Sequence, residues 1–258
     1  MKLDAALVWA FALVFVRCGA MLLSSPIFGG STPAQVRVGL TTMVALALTP
    51  VLRPYLGEVP PHLYGMASAV AYEALIGLLI GSCLQMLMMG AQMAGALLDI
   101  QIGLGTIQIF NPLTQTPVSL FAQFKFLLAL VLLLLMNGHH LMFQAFVASY
   151  QYAPLTASDL PHVQQGLLNL VGSICLLALQ IAAPVAGVCV VVDAAAGIVN
   201  KSVPQMQAFM VTMPAKIMLG IVAMSLTLPA MTTAVQSGVE HTFRVVEGML
   251  KEDGNGRK

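Results

Sequence analysis

Six long apolar runs, at residues 5–23, 38–52, 66–96, 121–147, 167–192 and 208–235, constrain this chain more than any other feature. A helix that crosses a bilayer needs about 20 mostly apolar residues, and hydrocarbon admits only structures that satisfy their own backbone N–H and C=O groups. The runs therefore predict an all-α membrane protein with about six hydrophobic helical segments. Charge agrees. Only 8% of the 258 residues are Asp, Glu, Lys or Arg, against roughly 25% in soluble domains, too few to cover a soluble surface of this size. A net charge of +1 offers no basic surface for nucleic acid. The second run is short and the third long, so neither reads as a simple span.

The interruptions carry the information. Asp4 and Arg17 break the charge order of a secretory signal, and no A-x-A site follows, so the first run is expected to be a retained helix. Arg17 inside it must be paired or must snorkel from a helix end. In residues 24–40, Pro26, Gly29, Gly30 and Pro33 end that helix. Thr32-Pro33 reads as an N-cap followed by proline at the first helical position, with Pro50 and Pro54 closing the second helix.

In the third run Glu73, Gly77 and Gly81 recur every four residues and share one face. Gly77-x-x-x-Gly81 lets a neighbouring backbone approach closely, and an ionisable Glu73 in such a run points to a functional or inter-helix role. Gln85, Gln92 and Asp99, spaced by seven, predict a polar stripe that faces other helices or a polar lumen. The stripe leads into Gly95–Pro117, where three glycines, two prolines and a run of amides and hydroxyls lie between apolar helices. Irregular polar backbone at membrane depth is tolerated only where protein buries it or water reaches it, so this stretch reads as the functional centre.

Further on, Asn137, His140 and Gln144 are expected on one helix face, and residues 149–162 as a loop with aromatics near the headgroups. Adjacent His139 and His140 point about 100° apart on a helix, with no carboxylate or Cys nearby in sequence, so no metal site is expected. Cys18, Cys83, Cys175 and Cys189 each sit alone in or beside an apolar run, as small hydrophobes do. Asp193 closes the fifth run, Lys201 and Pro204-Gln205 read as a second polar turn, and Lys216 follows Pro214. Arg244, Lys251, Arg257 and Lys258 argue for a cytoplasmic C-terminus, whereas Lys201 argues for the opposite side. The final KEDGNGRK reads as disordered.

In order, these interruptions resemble the FliR/SctT family, export-gate subunits of type III secretion. The pieces are Arg17…Pro26-Ile27-Phe28-Gly29…Pro33…Arg37 with Pro50, Glu73-x-x-x-Gly77-x-x-x-Gly81, and Gly95-x-x-x-Asp99-x-Gln101-x-Gly103 with Asn111-Pro112. Asn137-Gly138-His139-His140, Ser149 and Pro154 follow, and then Ala183-Pro184, Asp193, Gly197, Lys201, Pro204-Gln205, Phe209, Pro214, Lys216 and Gly220. One departure stands out: Gln207 occupies a position where the family usually has Asn, keeping the amide on a longer arm.

The resemblance implies a core subunit of the flagellar export gate. With FliP-like and FliQ-like subunits, and an FlhB-like switch protein in association, it would form helical hairpins packed into a hetero-oligomeric channel for unfolded export substrates. The place implied is the bacterial inner membrane at the base of the flagellar basal body. About 1–165 would be FliP-like, about 166–245 a FliQ-like hairpin, and 246–258 a flexible tail. The plug would fall at about Thr106–Thr116, and the turn with Asp193, Lys201, Pro204, Gln205 and Lys216 would face the cytoplasmic entrance.

The residues suit that role. Gly103 and Gly105 give a loop backbone freedom; Thr106, Asn111 and Pro112 lie in the same stretch, and Ile107, Ile109, Phe110 and Leu113 can seal by apolar contact. No G-x-x-x-x-G-K-[ST] phosphate loop occurs, and no enzyme activity or cofactor is expected. Two alternatives remain at this level. A secondary transporter of a small solute also shows broken helices and intramembrane charges, but no convincing internal repeat is present. An intramembrane enzyme using His139, His140 or Asp99 lacks an H-E-x-x-H or paired-acid constellation.

Overall fold

The computed structural model describes residues 5–30, 32–56, 59–103, 119–153, 163–202 and 208–250, and among these there are helices and no strand. The helices are α1 (Ala5–Ser24), α2 (Ala34–Leu52), α3 (Leu63–Ile102), α4 (Leu120–Leu135), α5 (Gly138–Tyr152), α6 (Val163–Ser202) and α7 (Ala208–Leu250). Four are single helices long and apolar enough to cross a membrane; counting the bent pair α4–α5 and the two halves of a bent α7 as one span each gives up to six. The all-α membrane class follows. At about 1.5 Å per residue, the 40-residue α3 is about 60 Å long, twice a hydrocarbon core.

In α1 the buried positions Leu13, Val14, Arg17, Cys18, Met21 and Leu22 form one stripe. The helix ends where Ser25-Pro26 follows, and Arg37 of α2 satisfies the loop's carbonyls, donating to Phe28 O at 3.1 Å, Thr32 O at 3.1 Å and Gly29 O. Pro33, not Thr32, occupies the N-cap position, with no side-chain cap. The expected cap is thus displaced by one residue, and Thr32 serves through its carbonyl. Pro50 lies inside α2 rather than closing it; the helix ends in a 3₁₀ turn, Arg53–Tyr55, that holds Pro54. Thr41 and Thr49 are buried and donate back to Arg37 O and Ala45 O, which keeps their hydroxyls paired on an apolar face.

The expected single run 121–147 is two helices. Asn137 takes a left-handed backbone, φ 56°, and caps α5, a conformation Asn tolerates better than most residues. Asn137 therefore does not continue the face carrying His140 and Gln144. Residues 149–152 belong to α5 rather than to a loop, and Tyr150 is buried. Likewise α6 continues to Ser202, so Asp193 and Lys201 are helical rather than part of a turn. Helix α7 runs to Leu250, with Val246 and Met249 buried, so the expected tail from 246 starts as helix. Residues 251–258 lie outside the described residues.

Two compact units interleave in sequence. One comprises 1–87, 134–171 and 239–258, the other 88–133 and 172–238. Each draws on both sides of the expected division near residue 165.

Candidate functional site

In the first unit, α1 and α3 meet through the four-residue repeat. A Cβ on Gly77 would collide with Arg17 O and Ala20, and one on Gly81 with Met21 O and Ser24 Oγ. The missing side chains let the α3 backbone lie against α1, and Glu73, one turn earlier, faces Arg17. Arg17 Nε lies 2.5 Å from Glu73 Oε2, and Nη2 donates to Oε1 at 3.0 Å, a two-pronged pair with both residues fully buried. Arg17 also donates to Ser149 Oγ at 2.8 Å and Ala153 O at 3.3 Å. Its guanidinium lies 3.8 Å from the Tyr150 ring centroid. Arg17 thus ties α1 and α3 to the end of α5. An unpaired charge there would be prohibitive; the pair, two further acceptors and the aromatic face replace water. Tyr150, which sequence reasoning took as an interfacial aromatic, is part of this cluster.

The second unit holds the other polar motif. Gly95 removes the Cβ that would collide with Phe121 O and Ala122, so the first turn of α4 rests on α3. One turn on, buried Asp99 accepts the N–H of Phe121 at 3.1 Å and of Ala122 at 3.3 Å, and Ser119 Oγ donates to the same carboxylate. The first N–H groups of a helix have no partner within it and carry its positive end. Asp99 supplies that partner from a different helix. Ser119 was not singled out from sequence, although a Ser just before an apolar run is the usual start signal.

Helix α3 ends at Gly103, φ 89°, whose N–H donates to Ile100 O at 3.1 Å. Gln101 contributes its carbonyl, which accepts from Lys216 Nζ at 3.2 Å. The same Nζ lies 2.5 Å from Asp193 Oδ1. So Asp193 and Lys216, expected in an entrance turn, form an ion pair between α6 and α7. Lys201 is exposed in the last turn of α6.

The expected stripe does not hold one environment: Gln85 is half-buried, Gln92 exposed and Asp99 buried. Sequence reasoning also passed over Lys125, buried on the α4 face with Phe121, Ala122, Ala129 and Leu133; an ionisable residue inside an apolar run was the available signal. Gly105, Thr106, Ile107, Ile109, Phe110, Asn111, Pro112, Leu113, Pro204 and Gln205 lie outside the described residues. His139 and His140 meet edge to face at 4.6 Å, and among the described residues no group of three His, Cys, Asp or Glu side chains is placed to hold a metal.

Residues 8–242 match the family described as Bacterial export proteins, family 1. The chain belongs to this family, that of the FliR/SctT proteins. The matched range includes the polar residues described above, from Arg17 to Lys216. Among similar proteins, the flagellar biosynthetic protein FliR of Caulobacter vibrioides is 34% identical over 223 residues, covering 86% of this chain and 89% of that one. FliR of Bacillus subtilis is 28% identical over 247 residues, 93% of this chain and 94% of its own. Salmonella typhimurium SsaT, a secretion system apparatus protein, is 26% identical over 228 residues, 85% and 87%.

Proposed function

We propose that this chain is a core subunit of a flagellar type III export gate. It joins FliP-like and FliQ-like subunits in a channel for unfolded export substrates, with an FlhB-like switch protein alongside. The gate sits in the inner membrane at the base of the flagellar basal body. The segment Thr106–Thr116 plugs the channel, and residues 1–165 and 166–245 play FliP-like and FliQ-like parts. No catalytic step is assigned to any residue. The relatives are named for flagellar biosynthesis and secretion, and family membership weighs against the small-solute transporter.

One observation carries the plug assignment: Asp99, four residues before α3 ends at Gly103, holds Ser119 and the first N–H groups of α4. Both ends of the segment between are anchored to α3, as a plug that must return to one place requires. The test is native mass spectrometry of the detergent-solubilised assembly after co-expression with the neighbouring genes. A large hetero-oligomer in which this chain is outnumbered by two other small membrane proteins is expected. A monomer or homodimer, under conditions that preserve such complexes, overturns the reading.

A further inference from the structure

Within the second unit, α4 and α7 enclose an apolar cavity of about 630 Å³. Phe121, Phe124 and Leu127 form one wall, and Ile221, Met224 and Leu228 the other. Each wall covers about two helical turns, or about 10 Å. Phe124, Leu127 and Ile221 are 45%, 49% and 51% exposed, so the cavity opens to the outside of the chain. Two polar residues complete the lining, Gln123 and Ser225. Ser225 Oγ donates to Val222 O of its own helix at 2.7 Å, which turns the hydroxyl back on α7 and leaves that wall apolar. Gln123, near the start of α4, is exposed, and its side-chain amide has no hydrogen bond among the described residues.

An apolar space of this size does not stay empty. Packed proteins hold few voids larger than a water, and a water needs two to four polar partners that these walls do not supply. A helix from another chain fits badly. Helices in this molecule come close where a side chain is missing, at Gly77 and Gly81 against α1 and at Gly95 against α4, as membrane helices generally do. Among the described residues the lining holds neither glycine nor alanine, and its long side chains keep a visiting backbone away. Both walls belong to the bent helices that count as membrane spans, so the surrounding medium is lipid.

We propose that this cavity is a lipid site: it holds one acyl chain of a membrane phospholipid between α4 and α7, with the Gln123 amide donating to the lipid's ester carbonyl. A flexible methylene chain fills a slot between Phe, Leu, Ile and Met side chains where a helix cannot, and each buried methylene adds to its retention. The amide supplies the directional contact that an apolar slot lacks. The lipid completes the packing of α4 on α7. This inference does not rest on the export-gate reading.

The test is native mass spectrometry of the full chain, purified in mild detergent with any subunits that co-purify. Met224→Trp fills the cavity with an indole. The lipid-bound fraction is expected to fall roughly tenfold, because two displaced methylenes at a factor of about four each already exceed that. Leu176→Trp, exposed on α6 and outside the lining, should keep it. Equal retention in wild type and Met224→Trp overturns the site. Gln123→Leu should lower retention by a few-fold, and an unchanged fraction removes the amide from the account. If Met224→Trp does not accumulate, the wild type decides. It is reconstituted in vesicles of phosphatidylethanolamine and phosphatidylglycerol with a phosphatidylcholine carrying a diazirine on one acyl chain, then extracted, washed and only then illuminated. Label on residues 120–127 and 221–228 is the expected result. Absence of label from both segments, whether because no lipid is retained or because a partner subunit fills the space, overturns the proposal.

Discussion

The carboxylate of Asp99 accepts the backbone N–H of Phe121 at 3.1 Å, across 22 residues of sequence. A side chain near the end of one helix thereby caps the start of the next. Gly95, one turn earlier on α3, makes room for it.

Asp99→Ala leaves the first N–H groups of α4 without their acceptor. The loss of an N-cap costs about 1–2 kcal/mol, and here it also releases one base of the segment between α3 and α4. Export, read as secreted flagellin or swimming-halo diameter, is expected to fall well below that of Leu132→Ala on the half-buried side of α4. Equal phenotypes would deny Asp99 a special part.

Arg17 and Glu73 should behave as a coupled pair. Removing either charge leaves the other buried, at about 3–5 kcal/mol. Arg17→Met and Glu73→Gln should each lower the thermal unfolding midpoint in detergent. The double variant should lose less than the sum of the two. Strict additivity would show that the pair is not coupled.

Gly77→Leu is expected to abolish the accumulation of folded chain, because its side chain meets the Arg17 carbonyl of α1. Gly39→Leu, where an added Cβ meets nothing within 4 Å, should accumulate normally. Complex yield after affinity purification decides; normal yield for Gly77→Leu would remove the close approach as a requirement.

Much of this was legible in the sequence because helical spacing is local. Glu73, Gly77 and Gly81 share a face at any position in a helix, and structure adds only that the neighbour is α1 of the same chain. Arg17 announced a need for a partner, but a partner 56 residues away is set by packing, not by spacing. Tyr150 was misplaced for the same reason: an aromatic beside polar residues looks interfacial until an arginine lies over its ring. The seven-residue spacing keeps Gln85, Gln92 and Asp99 within about 40° of one another but does not set how deeply each is covered, and Gln92 is exposed between a half-buried Gln85 and a buried Asp99. Asn137-Gly138 is a turn signal, hidden here by apolar residues on either side. The alanine-rich 194–196 carried α6 past Asp193 to Ser202, since local propensity there favours helix.

The most direct measurement is the ion conductance of the purified, reconstituted assembly, with the chain intact and with residues 106–116 deleted. A closed wild-type assembly and a several-fold higher conductance for the deletion, at equal complex yield, is the predicted result. Equal conductance from two correctly assembled complexes would contradict the account, because a segment anchored at Asp99 and Ser119 would then seal nothing.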